Sequence, residues 1–363
     1  MFSPVDQRHM AEALRLAEKG LFTTTPNPRV GCVIVREGEV VGTGWHERAG
    51  GPHAEILALE AAGARARGAT AYVSLEPCSH HGRTPPCADA LIAAGISRVI
   101  AAMQDPNPGV AGGGYARLRA AGIQVDSGLM QAEAGALNCG FVARMSRGRP
   151  WVRMKIAASL DGRTALANGR SQWITGSEAR RDGHAWRARA CAVLTGIGTV
   201  MDDDPQLNVR EIETARQPLK VVVDSKLQLL PSARLLQSGR VLVATANANG
   251  SGMAALKDRG AEMVVLPNAA GKVDLMALMH ELGRREINEL HIEAGPKLNG
   301  SLLRENLVDE LLVYLAPGIL GDTARGMFSL PELADLARKR LVQFEDVQTI
   351  GGDIRILARV INS

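Results

Sequence analysis

Along almost the whole chain, short apolar runs alternate with stretches of helical periodicity, and no other feature of the sequence narrows its fold more. A strand that leads through a helix to the next strand returns in the same direction, so this alternation builds a largely parallel sheet. Met10, Ala13, Leu14 and Ala17 recur at helical spacing, which gives a first helix over residues 4–19 ending at Gly20. RVGCVIV and EVVGTGW follow as two strands joined at Glu37-Gly38 by a tight hairpin, the antiparallel exception. A helix from His53 to about Arg65, the strand ATAYVSL, the helix PPCADALIAAG, the strand SRVIAAM, a helix over 113–121 and a closing helix near 130–144 complete this part.

RMSRGRP, residues 144–150, interrupts the apolar pattern with Gly, Pro and three arginines and sets a boundary between domains 1–146 and 147–363. Two domains also suit a chain of 363 residues at ~150 residues each. Beyond the boundary, WVRMKIAAS, ACAVLTG, LKVVVDS, RVLVATA, AEMVVL, ELHIEAG and DELLVYLA read as strands of a second α/β domain, and DIRILARVI closes the chain as an edge strand. No repeat of fixed period and no low-complexity tract interrupts the order.

No stretch reaches the ~18 apolar residues of a membrane span, which excludes a membrane protein. The 42 basic and 38 acidic residues leave a net charge of +4 spread over the chain, unlike the concentrated basic footprint of a nucleic-acid binder. The N-terminal MFSPVDQRHMAEALRLAEKG lacks the apolar core of a secretory signal, so the cytoplasm is the expected location. Cys32, Cys78, Cys87, Cys139 and Cys191 are odd in number and dispersed, which fits reduced thiols or metal ligands better than disulfides. Cys32, inside an apolar strand, reads as core packing.

PHAE places His53 and Glu55 at a helix start, and EPCSHHGRTPPC places Cys78 after a strand and Cys87 at the next helix start. One imidazole and two thiolates suit tetrahedral Zn²⁺, one ion per chain, with the fourth position open to water. The metal would lower that water's pKa toward ~7, and Glu55 could carry the released proton to a leaving amine. A structural zinc would need a fourth protein ligand, which His80 or His81 could supply; otherwise these shape the pocket mouth. Asn27 either satisfies a turn in PNP or turns its amide to a substrate ring, with His46 and Arg83 as weaker candidates.

His-x-Glu followed by Pro-Cys and a second Cys resembles the zinc-dependent nucleobase and nucleoside deaminases, although eight residues rather than two separate Cys78 from Cys87. The longer spacing, together with TPNPRVGCVIV and GWHERAGGPHAE, is similar to the deaminase domain of the bifunctional deaminase–reductases of riboflavin biosynthesis. The resemblance implies a cytidine-deaminase-like three-layer α/β/α domain with a mixed sheet, and it favours a substrate contact for Asn27. It also implies the substrates: a diaminopyrimidinone carrying a phosphorylated ribose loses a ring amine, and the ribosyl group is then reduced to ribityl.

The second domain lacks the dinucleotide fingerprint, since TGIGTVM misses the third glycine. LHIEAGPKLNGSLL instead runs from a strand through a Gly-Pro turn into a helix whose free N–H groups suit a pyrophosphate. Here MKIAASLDG, SQWITG, TGIGTVMDDDPQLNVR, VVVDSK and LHIEAGPKLNGSLL resemble the reductase half of the same family, which implies a dihydrofolate-reductase-like α/β fold and NADPH. The resemblance implies cofactor contacts at Ala157, Trp173, Thr199, Asp203 and Ser225 and along Gly295, Pro296, Lys297, Leu298, Asn299, Gly300 and Ser301. It implies substrate contacts at Ser171, Arg187, Leu207, Arg210 and Glu293. Arg187 and Arg210 can clamp a sugar phosphate, or Arg187 can belong to a solvated helix face. Ser225 and Lys226 suit the 2′-phosphate of NADPH, with Asp224 beside them opposing it; Trp173 could instead be core. Lys155 and Asp203 are the alternative proton donors. A homo-oligomer, dimer or tetramer, is the expected assembly. The rivals are a tRNA or nucleoside deaminase with an accessory domain, disfavoured by the long cysteine spacing, and a non-catalytic nucleotide sensor, which would have no need of Glu55.

Overall fold

The computed structural model describes residues 2–79, 85–248, 250 and 252–361. The chain divides into two compact units, Met1–Gly148 and Arg149–Ser363. His80, His81 and Arg83 lie outside the described residues.

The first unit runs α1 (Pro4–Glu18), β1 (Gly31–Arg36), β2 (Glu39–Trp45), α2 (Ala54–Ala62), β3 (Thr70–Val73), α3 (Cys87–Ala93), β4 (Arg98–Ala101), α4 (Gly113–Ala120), β5 (Gln124–Ser127), α5 (Gln131–Leu137) and α6 (Cys139–Arg147). Its sheet has the order β2-β1-β3-β4-β5. β1 is antiparallel to both neighbours, and β3, β4 and β5 are parallel. Because side chains alternate along a strand, each strand feeds two cores. Cys32, Ile34, Ala71 and Val73 pack with Ala54, Ala58 and Leu91 on one face. Val33, Val35 and Tyr72 pack with Met10, Ala13 and Phe141 on the other. That is the three-layer arrangement. α2 lies so close to the sheet that a Cβ on Gly44 would come within 2.4 Å of the Ala54 carbonyl, which fixes the N-terminal end of the helix.

Two expectations are corrected here. The closing helix is two helices, because Asn138 leaves helical geometry at φ −107° and turns its amide to Arg29, accepting from the Arg29 N–H at 2.8 Å and donating to its carbonyl at 2.9 Å. The fifth strand, QVDS, escapes the hydrophobic pattern because it is short, polar and at the sheet edge.

The second unit runs β6 (Trp151–Ser159), β7 (Arg163–Ala165), α7 (Ser177–Arg189), β8 (Ala192–Gly196), α8 (Ile197–Asp203), β9 (Leu219–Val223), β10 (Val241–Thr245), α9 (Met253–Asp258), β11 (Ala261–Val265), α10 (Leu275–Arg284), β12 (Glu289–Ile292), α11 (Pro296–Arg304), β13 (Glu310–Ala316), β14 (Arg325–Gly326), β15 (Leu341–Ile350) and β16 (Asp353–Ile361). Its nine-stranded sheet has the order β11-β10-β9-β8-β12-β6-β13-β16-β15. The first seven strands of that order are parallel, and β16 and β15 add antiparallel partners. DIRILARVI is therefore not the edge strand. The edge on that side is β15, LVQFEDVQTI, which is largely exposed and whose apolar residues, Leu341, Val342, Phe344, Val347 and Ile350, do not alternate as a strand's would. No helix among the described residues is long and apolar enough to cross a membrane.

Candidate active sites

In the first unit, His53 is the N-cap of α2 and Cys87 the first residue of α3, so two helix starts bring an imidazole and a thiol together. Cys78 arrives on the loop after β3. The His53 Nδ1 lies 3.2 Å from the Cys87 Sγ and 3.6 Å from the Cys78 Sγ, and the Cys87 N–H donates to the Cys78 Sγ at 3.3 Å. All three ligand atoms fall within 4.8 Å of one another. A hydrogen bond from Cys87 pushes the Cys78 thiol down to about 4, against its burial, whereas the same bond and burial push Cys87 up. One imidazole nitrogen and two sulfurs so placed, one already favouring thiolate, fit Zn²⁺.

Glu55, in the first turn of α2, is buried against Cys87, whose thiol its carboxylate helps to push up. Burial raises its pKa to about 7, with the His53 charge pulling the other way. Nearby, the Asn27 Nδ2 lies 3.1 Å from the His46 Nε2, and the His46 Nδ1 lies 2.9 Å from the Pro52 carbonyl. A carbonyl only accepts, so Nδ1 carries the proton and Nε2 accepts from the Asn27 amide. Burial, which lowers the His46 pKa, keeps the ring neutral for that role. The His46 ring meets the His53 ring edge-on at 5.4 Å, which ties Asn27 to the metal-ligand cluster.

The Cys78 loop has an anchor the motif search passed over. The buried Glu76 carboxylate accepts from the N–H groups of Asp105, Gly112, Gly114 and Tyr115 at 2.9–3.3 Å. A Cβ on Gly114 would lie 1.9 Å from the Pro77 carbonyl, so the start of α4 is pressed against the strand-to-ligand loop.

In the second unit, a cavity of about 670 Å³ gathers Ala157, Ser171, Trp173, Arg187, Thr199, Asp203, Leu207, Arg210 and Glu293, together with Lys155. A neighbouring cavity of about 200 Å³ adds Gly295, Pro296 and Asn299. Gly295 caps α11 without a side-chain bond, which leaves N–H groups of the first turn free for an anion, so the site fits a dinucleotide phosphate. The side chains of the rest of that turn have other partners. Leu298 packs over Gly196, a Cβ on Gly300 would meet the Ser329 carbonyl at 2.1 Å, and the Ser301 hydroxyl donates to the Lys297 carbonyl. Ser225 lies apart from both cavities, its hydroxyl accepting from the Val273 N–H at 3.0 Å.

Arg187 is not on a solvated face. It makes a two-point pair with Glu293, one arm at 2.8 Å, and donates to the Asn208 carbonyl at 3.0 Å. Burial would raise the Glu293 pKa, but the Arg187 guanidinium, with His291 and Lys155, offsets this and holds the carboxyl well below its usual range. Beside this pair sits Lys155, whose pKa burial lowers while Glu293 supports the charge. Trp173 is not core: it is 65% exposed, with the Arg180 guanidinium 4.5 Å above its ring. Sequence reading missed His184, a buried cavity residue pushed down to about 4 by burial and then by Arg187 and Arg210. It also missed Arg234, which opens a short 3₁₀ turn, Arg234–Gln237, with no motif around it.

Comparison with known proteins agrees with both halves. A family described as "Cytidine and deoxycytidylate deaminase zinc-binding region" matches residues 3–103, and one described as "RibD C-terminal domain" matches residues 150–356. The chain is 50% identical to the riboflavin biosynthesis protein RibD of Escherichia coli strain K12, over 96% of this chain and 98% of that one. The solved structure of Acinetobacter baumannii RibD is 44% identical and superposes with a TM-score of 0.92 over 99% of each chain. A Thermotoga maritima structure described as a diaminohydroxyphosphoribosylaminopyrimidine deaminase/5-amino-6-(5-phosphoribosylamino)uracil reductase is 32% identical, with a TM-score of 0.88 over 98% of this chain and 99% of that one. A zinc-binding deaminase domain followed by an NADPH-using reductase domain, matched from end to end, places the chain in the RibD family of bifunctional riboflavin biosynthesis enzymes.

Proposed function

We propose that residues 1–146 hydrolytically deaminate 2,5-diamino-6-(5-phosphoribosylamino)pyrimidin-4(3H)-one and that residues 147–363 reduce the resulting 5-amino-6-(5-phosphoribosylamino)uracil with NADPH. The observation that carries the reading is the convergence of the His53, Cys78 and Cys87 ligand atoms within 4.8 Å, with buried Glu55 against Cys87.

His53, Cys78 and Cys87 hold the metal. When bound, zinc supplies an acidified water as nucleophile. Glu55 takes a proton on the pyrimidine side and returns it to the leaving amine. Asn27, oriented by neutral His46, presents its amide to the ring. In the second unit, NADPH when bound supplies the hydride. Reduction of ribosyl to ribityl breaks the bond from the anomeric carbon to the ring oxygen, adds hydride to that carbon and needs a proton on the released oxygen. Lys155 suits that transfer better than Asp203. Its ammonium sits in the cavity with no hydrogen-bond partner among the described residues, whereas an Asp203 oxygen accepts from the Ser171 hydroxyl at 3.1 Å. Ser171 and Glu293 face the substrate; Ala157, Trp173, Thr199, Asp203 and the turn from Gly295 face the cofactor.

The reading includes a cytoplasmic location and no nucleic-acid partner, supported by five free cysteines and an evenly spread net charge of +4. It includes a homo-oligomer, supported by edge strand β15, where Leu341, Phe344 and Val347 are exposed. The test supplies purified full-length protein with the phosphoribosylaminopyrimidine, with and without NADPH, following ammonia release and NADPH absorbance separately. Ammonia should appear in both reactions and NADPH should be consumed only after deamination. NADPH oxidation without ammonia, or neither signal in the zinc-loaded protein, overturns the assignment.

A further inference from the structure

We propose that Arg234 determines the reductase's specificity for a phosphorylated substrate, gripping the terminal phosphate together with Arg210. The inference rests on the reading of the larger second-unit cavity as the reductase substrate site. Four arginines line that cavity, Arg180, Arg187, Arg210 and Arg234, and their surroundings differ. Arg180 donates to the Thr175 carbonyl at 2.8 Å and lies over the Trp173 ring. Arg187 has its charge matched by Glu293, so it adds little net attraction for a dianion. The Arg210 guanidinium has one long contact, 3.4 Å to the Asn208 side chain. Among the described residues, the Arg234 guanidinium has no hydrogen-bond or ion-pair partner.

The backbone holds Arg234 in place. Its N–H donates at 2.9 Å to an oxygen of Asp204, the residue that caps α8 in the left-handed region at φ 39°. On either side, Ala233 and Leu235 are buried in the core, so the segment is anchored while the arginine side chain lies outside that core. Arg234 and Arg187 both act on Arg210 with like charge, opposed by Glu211 and Glu293. Of these two carboxylates, Glu293 is engaged by Arg187, so an excess of positive charge faces the space around Arg210 and Arg234. Two guanidinium forks match a phosphate dianion in shape and charge. The substrate phosphate and the cofactor phosphates share this chemistry. Arg210 and Arg234 do not line the smaller cavity at the start of α11, where a cofactor phosphate would lie, and this favours the substrate.

The test compares wild type, Arg234→Ala and Arg234→Lys in the full chain at saturating NADPH, using the deaminated intermediate and its dephosphorylated counterpart. Arg234→Ala should raise KM for the phosphorylated compound about tenfold, the loss of one charged hydrogen-bonding group, with kcat changed less than twofold. The preference for the phosphorylated compound should narrow by the same factor, and Arg234→Lys should recover part of it by restoring charge without the fork. An unchanged preference in Arg234→Ala overturns the proposal, and so does a weakened NADPH Kd in a fluorescence titration, which would assign Arg234 to the cofactor. If the wild type itself shows no preference between the two compounds, the reading of the cavity fails, a result distinct from failure at Arg234 alone.

Discussion

Replacing Glu293 by glutamine keeps the size of the side chain and removes the charge that Arg187 and Lys155 face in the second-unit cavity. The Arg187 and Glu293 side chains are 15% and 14% exposed and make a two-point pair, with the His291 Nε2 3.5 Å from the same carboxylate. Removing one partner of a buried pair costs about 3–5 kcal/mol, because the other charge is left unmatched. The amide keeps one acceptor for the guanidinium and the cavity admits water, so about 3 kcal/mol is expected, near the lower end of that range. A unit of this size moves its midpoint by roughly 2–4 °C per kcal/mol, so the second-unit transition should fall by about 6–12 °C. Differential scanning calorimetry of the full-length variant at pH 7, without ligands, measures it. Glu293 has its carboxyl held well below the usual range, so its contribution is present above the unfolded value of ~4.3 and lost as pH falls through the folded one. The gap between wild type and Glu293→Gln should therefore hold from pH 7 to 5 and narrow below about 4. A midpoint shift under 2 °C at pH 7, or a gap that widens as pH falls, would refute the argument that this pair is matched and buried.

Glu55→Gln should cut ammonia release ~10²-fold or more, since the amide cannot take a proton, while zinc per chain stays at the wild-type level; equal zinc with substantial deamination would remove Glu55 from the proton path. Cys87→Ser should lose zinc and deamination together on dialysis against a chelator, because a neutral hydroxyl is a poor substitute for thiolate on this metal. Stoichiometric zinc in the dialysed variant would take Cys87 out of the ligand set. Arg210→Ala should raise KM for the phosphorylated intermediate by about tenfold or more with a smaller effect on kcat, as expected for a phosphate contact worth ~1.5–3 kcal/mol. Steady-state kinetics showing the loss in kcat alone would contradict a binding role.

The zinc cluster could be read in the sequence because its residues sit where local rules put them: His53 and Cys87 begin helices, and Cys78 follows a strand. The parallel strands other than β5 were legible for a similar reason, since strands buried on both faces are continuous apolar runs. β5 and β15 were not: β5 is a short, mostly polar edge strand, and the apolar residues of the exposed edge strand β15 do not alternate. The pairing of Arg187 with Glu293 joins residues 106 apart and has no local signature. A motif can say that an arginine and a glutamate belong to one site, but not that each neutralises the other. The bond from the Val273 N–H to the Ser225 hydroxyl, which lies beyond a strand end, is equally invisible, since it joins residues 48 apart.

The position of the final strand sets an order of assembly during synthesis. Every strand of the first sheet lies before residue 128, so that sheet can close while most of the second unit is still unmade. β6, the first strand of the second unit to leave the ribosome, ends between β12 and β13, and β13 in turn waits for β16 at the C-terminus. At 5–20 residues per second, β6 with Val152, Met154 and Ile156 therefore spends roughly 8–30 s before both of its partner strands are made. The reductase unit is thus the one that needs shielding from aggregation on the ribosome, and a stop codon just before Asp353 would leave β13 with a bare edge and take from β15 the strand it pairs with.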